Sequence, residues 1–182
     1  MKKLFALSLI ALVAFSSCSK DDDKETPNPS GPQVVLAEDF ASATKGTVDN
    51  AGGDLWVGNV NFPAESIAMA YEAAGMVKIA SSKAAGYLET KTLDLSANNG
   101  AVTIKFKVKG WYADAKMIVS MGEETQTIDI KADKAATTLE EKEVKFTKGT
   151  KTSKIKFATG TVIFNGAEQI SRFFIDDIQV IN

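Results

Sequence analysis

The sequence predicts an all-β protein, a sandwich or a barrel of antiparallel strands. Short segments alternate apolar and polar residues with a period of two, as strands with one buried face do. Clusters of Gly, Asn and Ser separate these segments every ~8–12 residues, a spacing typical of sandwiches and barrels. The chain shows no helical heptads, no βαβ spacing and no repeat of constant period.

The predicted strands follow one another from residue 34 to the end of the chain. The clearest covers residues 101–108, where apolar residues alternate with Thr103, Lys105 and Lys107. Residues 66–74 have some helix propensity, but Gly75 follows them and we predict a strand or an irregular segment. The predicted strands are 34–40, 55–62, 76–80, 87–95, 101–108, 116–121, 125–131, 139–147, 151–159, 161–164 and 170–181.

The last strand is predicted to lie in the middle of a sheet, because both of its faces are apolar. Asp176 and Asp177 interrupt the apolar run, and buried carboxylates are costly unless they meet a donor, a cation or solvent. Strict alternation puts Phe174, Ile178 and Val180 on one face and Phe173, Ile175 and Ile181 on the other.

Composition argues against several classes of function. The net charge of the 182 residues is -2, without the basic stripe that nucleic-acid binding needs, so no nucleic-acid partner is expected. The chain contains no histidine, which removes Ser-His-Asp and Cys-His catalysis and the usual zinc sites. No pair of carboxylates stands out as glycosidase-like, so we predict a protein that is not an enzyme.

The N-terminal segment predicts a processed leader. Lys2 and Lys3 precede an apolar run over residues 4–15 that is too short to span a membrane. The small residues before Cys18, the only cysteine, resemble the lipobox of bacterial lipoproteins, although Phe15 stands where Leu is usual. The resemblance implies a signal peptide over residues 1–17 and a lipid anchor at Cys18.

Residues 18–32 are predicted to form a disordered tether, acidic at first and then rich in proline. The acidic part resembles the segment that sends some Gram-negative lipoproteins to the outer face of the outer membrane. That resemblance implies a lipid-anchored outer-membrane protein exposed at the cell surface, with one domain over residues 33–182.

Several landmarks resemble a known group of domains. They are EDF at 38–40, GYLET at 86–90, VTIKFKV at 102–108 and FIDDIQV at 174–180. Together they resemble the galactose-binding-like jelly rolls of bacterial surface lipoproteins, including choice-of-anchor J domains, cleaved-adhesin domains and carbohydrate-binding modules. The resemblance implies a two-sheet antiparallel β-sandwich of jelly-roll type with a non-catalytic role that is often glycan binding.

The same resemblance implies one structural Ca²⁺ between the first and last strands. The matching oxygen ligands are Glu38 or Asp39 in the first and Asp176 or Asp177 in the last. Alternatively, these acids cap turns, pair with Arg172 or a lysine, or face water. Two or three carboxylates also fall short of the 6–8 oxygens that calcium takes.

The aromatic residues supply candidates for a glycan site, because Trp and Tyr combine a flat apolar face with a polar group. Trp56, beside Asn59 in a glycine-rich region, is the predicted exposed platform. Tyr71, Trp111 and Tyr112 are further candidates, although Trp111 directly continues a buried strand and is predicted to lie in the core. If these rings are buried instead, a structural or adhesion lipoprotein that contacts other surface proteins without binding glycans becomes the better hypothesis.

Overall fold

The structure, a computed structural model, describes residues 31–47, 51, 53–132 and 138–182, which contain thirteen strands. The leader, Cys18 and most of the tether lie outside the described residues. Within them, no helix has the length and apolar character that crossing a membrane requires. The strands are β1 (Val34–Glu38), β2 (Ile67–Ala68), β3 (Ala70–Glu72), β4 (Val77–Ile79), β5 (Tyr87–Glu89), β6 (Val102–Gly110), β7 (Ala115–Met121), β8 (Glu124–Ile130), β9 (Glu140–Phe146), β10 (Ile155–Thr159), β11 (Thr161–Phe164), β12 (Ala167–Ile170) and β13 (Phe173–Ile181).

Two antiparallel sheets form the sandwich, which confirms the predicted fold class. The six-stranded sheet has the order β3-β4-β13-β6-β9, and β1 pairs with β13 as its sixth strand. The five-stranded sheet has the order β2-β5-β10-β7-β8, and β11 and β12 form a separate hairpin. β13 is central as predicted, with β6 along one edge and β4 followed by β1 along the other.

The core lies between the two sheets and is built from the inward positions of each strand. In β6 the apolar residues of the predicted alternation are all buried, while Lys105 points outward. Phe106 of β6 meets Phe157 of β10 across the core, with ring centres 5.7 Å apart in an edge-to-face arrangement. Period-two alternation therefore identified the buried face of this strand correctly.

A β-bulge in β13 changes which residues face the core. Asp176 lies opposite Lys107 and Gln179 lies opposite Lys105, so the chain moves three positions along β13 where it moves two along β6. Asp177, in the bulge, has the left-handed φ of 46°. The predicted division of faces was wrong because it assumed strict alternation. The core cluster contains Phe173, Ile175, Ile178 and Val180, whereas Phe174 belongs to a separate cluster.

The strand predicted over residues 55–62 is also wrong. Only Leu55 forms a bridge, with Tyr71, and the rest of the segment is a loop. Gly58 permits this loop, because its φ is 83° and a Cβ there would lie 2.3 Å from the Phe62 carbonyl oxygen. Residues 66–74 hold β2 and β3, separated at Met69, which also has a positive φ.

Candidate functional site

Trp56 lies in the core and is not a surface platform. Its side chain is 4% exposed and packs against Phe40 and Phe62, with ring centres 5.1 and 6.1 Å away. Its indole N–H donates to Ser42 Oγ at 3.3 Å. The predicted exposure was wrong because loop 55–62 folds back so that the largest ring of the segment fills the space beside the two phenylalanines.

Asn59 holds the same loop to the first strand. Its Nδ2 donates to Glu38 Oε2 at 2.8 Å, and its Oδ1 accepts from the backbone N–H groups of Asn61 and Phe62. Asn61 Nδ2 also donates to Glu38 Oε2, at 3.0 Å. These contacts use the side chain of Asn59 within the fold.

Three of the four carboxylates of the predicted calcium site, those of Glu38, Asp39 and Asp177, line one cleft but do not form a cation shell. Glu38 accepts from Asn59 and Asn61 and also from the Phe40 backbone N–H. Asp177 Oδ2 lies 2.8 Å from Lys107 Nζ, and Asp39 Oδ1 accepts from the Ala41 N–H. Across the described ranges, no group of three or more His, Cys, Asp or Glu side chains is placed to hold a metal ion. As arranged, these residues do not fit calcium.

Thermal unfolding in calcium and in chelator tests the calcium prediction. Binding to the folded state raises stability by mass action, about 2.7 kcal/mol at 100 times Kd, so the prediction expects a higher Tm in calcium. Glu38→Gln should remove that increase if Glu38 is a ligand. Because Glu38 already accepts hydrogen bonds from these donors, we expect the same Tm in calcium and in chelator. The same Tm in both conditions for the unmodified chain would contradict calcium binding.

Asp176 is half-buried at the bulge, and its surroundings disfavour its charge. Burial raises the pKa of Asp176 to about 6, and the charges of Asp177 and Asp39 add to the increase. Its Oδ1 accepts a hydrogen bond from the Asp177 N–H at 2.8 Å, and this bond lowers the pKa of Asp176 in part. The ionised side chain therefore costs stability at neutral pH.

Asp176→Asn is expected to stabilise the fold at pH 7 and to change little at pH 4. Because the pKa is about 6 in the folded chain and near 3.8 in the unfolded one, stability falls as pH rises between these values. Allowing for partial hydration, we expect a gain of about 1 kcal/mol at pH 7. Urea unfolding of the variant and the unmodified chain at pH 7 and at pH 4 measures this gain in the free energy of unfolding.

Asp114→Asn is the matched control, because a hydrogen bond from Lys131 at 2.6 Å lowers the pKa of Asp114. Asp114→Asn should therefore destabilise the fold at pH 7, whereas Asp176→Asn should stabilise it. A destabilising Asp176→Asn at pH 7 would show that the charge of Asp176 is needed there.

The other three predicted sugar-binding residues come together on the outer face of the six-stranded sheet. The strand register aligns Tyr71, Lys78, Phe174 and Lys109 in one row across β3, β4, β13 and β6. Trp111 follows β6 and stacks on Phe174, with ring centres 5.5 Å apart and planes within 3° of parallel.

Lys78 joins the aromatic rings of this row. Its Nζ lies 4.3 Å from the centre of the Tyr71 ring and 4.1 Å from that of Trp111. Tyr112 contacts Trp111 at 5.1 Å between ring centres and is 54% exposed. We call Tyr71, Lys78, Trp111, Tyr112 and Phe174 the aromatic–lysine patch.

Trp111 occupies a different position from the one its sequence context indicates. It does not continue the buried face of β6 but packs half-buried on the outer face, in the cluster that contains Phe174. Its Nε1 is buried and has no acceptor among the described residues.

Burial and the nearby charge of Arg172 lower the pKa of Lys78 to about 8. Lys78 and Phe174 were not predicted as site residues, because only the strand register brings them beside Tyr71.

No family model matches the chain, and no curated protein matches it. Solved structures similar to it include the ligand-free BiXyn10A CBM1, at 14% identity and a TM-score of 0.45, covering 82% of this chain and 99% of that one. A family 35 carbohydrate-binding module from Clostridium thermocellum matches at 17% identity and a TM-score of 0.44, covering 63% and 88%. TmCBM61 in complex with β-1,4-galactotriose matches at 14% identity and a TM-score of 0.37, covering 58% and 68%. Similarities of this size assign neither a ligand nor an activity to this chain.

Proposed function

We propose that the chain is a non-catalytic glycan-binding module and that the aromatic–lysine patch is its binding surface. The observation that carries the proposal is the convergence of Tyr71, Trp111 and Tyr112 on one face of the sandwich. Tyr112 offers an exposed ring, and Lys78 supplies a hydrogen-bond donor beside the rings. A flat apolar surface next to a polar group suits the alternating C–H and hydroxyl groups of a sugar.

Affinity electrophoresis against a panel of polysaccharides tests this proposal. A soluble chain starting at Thr26 contains both sheets and the whole described core. We expect one or more polysaccharides to retard it, and Tyr112→Ala to abolish the retardation because the substitution removes the exposed ring.

Tyr87→Ala is the matched control for that substitution. Tyr87 lies on the other sheet and also has a lysine over its ring, with Lys156 Nζ 4.0 Å from the ring centre. Tyr87→Ala should leave polysaccharide binding unchanged. Loss of binding in Tyr87→Ala alone would contradict the assigned surface, and no retardation by any polysaccharide would contradict glycan binding.

Contact with other surface proteins is the alternative, and two observations favour it. Trp56, the predicted platform, is buried, and the β11–β12 hairpin exposes apolar side chains, with Ile163 72% exposed. An exposed apolar group at a hairpin suits a protein contact. Ile163→Asp should then abolish crosslinking to an outer-membrane partner while Val57→Asp, at another exposed apolar position, leaves it unchanged. Crosslinking that survives Ile163→Asp would contradict this alternative.

The proposal includes a lipid anchor at Cys18, which would hold the module at the outer membrane with the domain exposed at the cell surface. The full chain expressed in a Gram-negative host should incorporate labelled fatty acid and sediment with membranes. Cys18→Ala should abolish both. Fatty-acid incorporation that persists in this variant would contradict the anchor, and resistance of the domain to protease on intact cells would contradict surface exposure.

A further inference from the structure

A cleft between the five-stranded sheet and the loop before β10 is lined by more cations than carboxylates. Its volume is about 360 Å³, within the range of about 300–1,000 Å³ that is usual for small-molecule sites. Lys148, Lys154, Lys156 and Glu89 supply its charges, and serine and threonine side chains add hydroxyl groups. Three positive charges and one negative charge give the lining a net charge of +2. We call it the basic cleft.

This excess of positive charge distinguishes the basic cleft from three other clefts on the described surface. The cleft beside Glu38 and Asp177 has carboxylates but no lysine or arginine in its lining. The cleft over Lys105 has three lysines and three carboxylates, and the one beside Tyr112 has one arginine and one carboxylate. Of these four clefts, the basic cleft is therefore the one whose charge favours an anion.

Strand pairing fixes the position of Lys156 in the basic cleft. Glu89 of β5, Lys156 of β10 and Ser120 of β7 lie in one row across the five-stranded sheet. The two neighbours of Lys156 in β10 are buried in the core, so its side chain points to the outer face. Its Nζ lies 4.0 Å from the centre of the Tyr87 ring, which holds the ammonium group without neutralising its charge.

Hydrogen bonds hold the loop that carries the remaining lining residues. Backbone hydrogen bonds of 2.8 and 3.1 Å join Ser153 to Leu93. Ser153 Oγ accepts the Thr150 N–H at 2.9 Å and lies 3.1 Å from Thr150 Oγ1. The Thr152 N–H in turn donates to Thr150 Oγ1 at 3.3 Å. The backbone that carries Lys148 and these hydroxyl groups is therefore ordered before a ligand binds, which lowers the cost of binding.

The one carboxylate in the lining lies beside one of the three lysines. Glu89 Oε2 is 3.5 Å from Lys154 Nζ. Glu124 lies outside the lining, where it accepts the Lys148 backbone N–H at 3.0 Å. The lining therefore holds no second carboxylate for the charges of Lys148 and Lys156. These charges are available to a ligand, and the hydroxyl groups can donate to its oxygens.

We propose that the basic cleft binds a phosphate monoester. At neutral pH such a group carries a charge of about -1.5 to -2, which matches the net charge of the lining. Its oxygens accept charge-assisted hydrogen bonds from ammonium groups. The cleft also has room for the group that carries the phosphate, since a water molecule takes only about 30 Å³. This site is independent of the proposed glycan binding, because the aromatic–lysine patch lies on the other sheet.

Calorimetric titration of the chain starting at Thr26 with glycerol phosphate tests the site, with sodium chloride keeping the ionic strength constant. We expect saturable binding that Lys148→Gln and Lys156→Gln each weaken about tenfold. Glu89→Gln should instead strengthen binding about threefold, because it removes the negative charge beside Lys154. Acetate, with a single negative charge, should bind at least about tenfold more weakly than glycerol phosphate.

Lys105→Gln is the matched control, because it removes a positive charge from the other sheet, at a lysine 3.8 Å from Glu143. It should change glycerol phosphate binding by less than about twofold. Lys156→Arg keeps the charge and should retain binding, which keeps the test valid if Lys156→Gln does not fold. The absence of saturable binding, an equal loss in Lys105→Gln or weaker binding by Glu89→Gln would overturn the site. Acetate that binds as tightly as glycerol phosphate would overturn the assignment to phosphate.

Lipid vesicles separate a soluble ligand from a membrane lipid, because phosphatidic acid carries the same phosphate monoester as glycerol phosphate. Sedimentation with phosphatidylcholine vesicles that contain phosphatidic acid, weakened about tenfold by Lys156→Gln, supports a lipid as the source of the phosphate. Binding of glycerol phosphate without sedimentation supports a soluble phosphorylated ligand. Sedimentation that Lys156→Gln leaves unchanged would overturn lipid binding through this cleft.

Discussion

Trp56→Ala is expected to lower the free energy of unfolding by about 3–5 kcal/mol, the usual cost of replacing a buried Trp with Ala. The side chain is 4% exposed and closes the core between Phe40 and Phe62, so its removal leaves a cavity that the loop cannot fill. It also loses the hydrogen bond to Ser42. Urea unfolding of the chain starting at Thr26 measures this difference.

Two further substitutions show whether the effect belongs to the core. Trp56→Phe keeps an aromatic ring beside Phe40 and should cost clearly less, about 1–2 kcal/mol. Tyr112→Ala removes an exposed ring and should change stability by no more than about 0.5 kcal/mol. A Trp56→Ala variant as stable as the unmodified chain, but unable to bind a glycan, would restore Trp56 as the platform.

The longer strands could be predicted because the residue pattern within each one indicates which of its faces is buried. In β6 the alternation of apolar residues with lysines marks the core face whatever strand lies beside it. The predicted limits, 101–108, differ from Val102–Gly110 only at the ends. Fold class follows from such local patterns, since a set of half-buried strands without helices must form two layers or a closed sheet.

The exposure of the two tryptophans could not be predicted, because it depends on contacts between distant parts of the chain. Trp56 is buried because a loop folds against Phe40, which lies sixteen positions earlier in the sequence. Trp111 directly follows a buried strand but turns to the outer face, where it stacks on Phe174 of the last strand. Neither outcome leaves a local sequence signal.

The aromatic–lysine patch was partly anticipated and partly hidden. Its tyrosines and Trp111 could be named as candidates from residue type, but Lys78 joins them only through the pairing of β3, β4 and β13. That pairing includes a strand whose register shifts at a bulge. Strict alternation therefore assigned the second half of β13 to the wrong faces.

Deletion of Asp176 and Asp177 together is expected to destabilise the fold by at least about 4 kcal/mol. Removal of Asp177 alone would only convert the bulge into regular pairing, whereas without both residues alternation would turn Ile178 and Val180 outward and bring Gln179 and Ile181 toward the core. Each buried Ile or Val contributes about 1.5–3 kcal/mol, and burying the Gln179 amide adds a further cost. Urea unfolding should show a much lower midpoint or a chain that does not fold.

Asp177→Gly is the matched control because it keeps the number of residues. Glycine adopts the positive φ of this position readily, and the lost ion pair with Lys107 is largely exposed, so the change should stay within about 1 kcal/mol. Phe174 precedes the bulge, so its row with Lys78 and Tyr71 should persist in this variant and any ligand binding with it. A deletion variant as stable as Asp177→Gly would contradict the register described for β13.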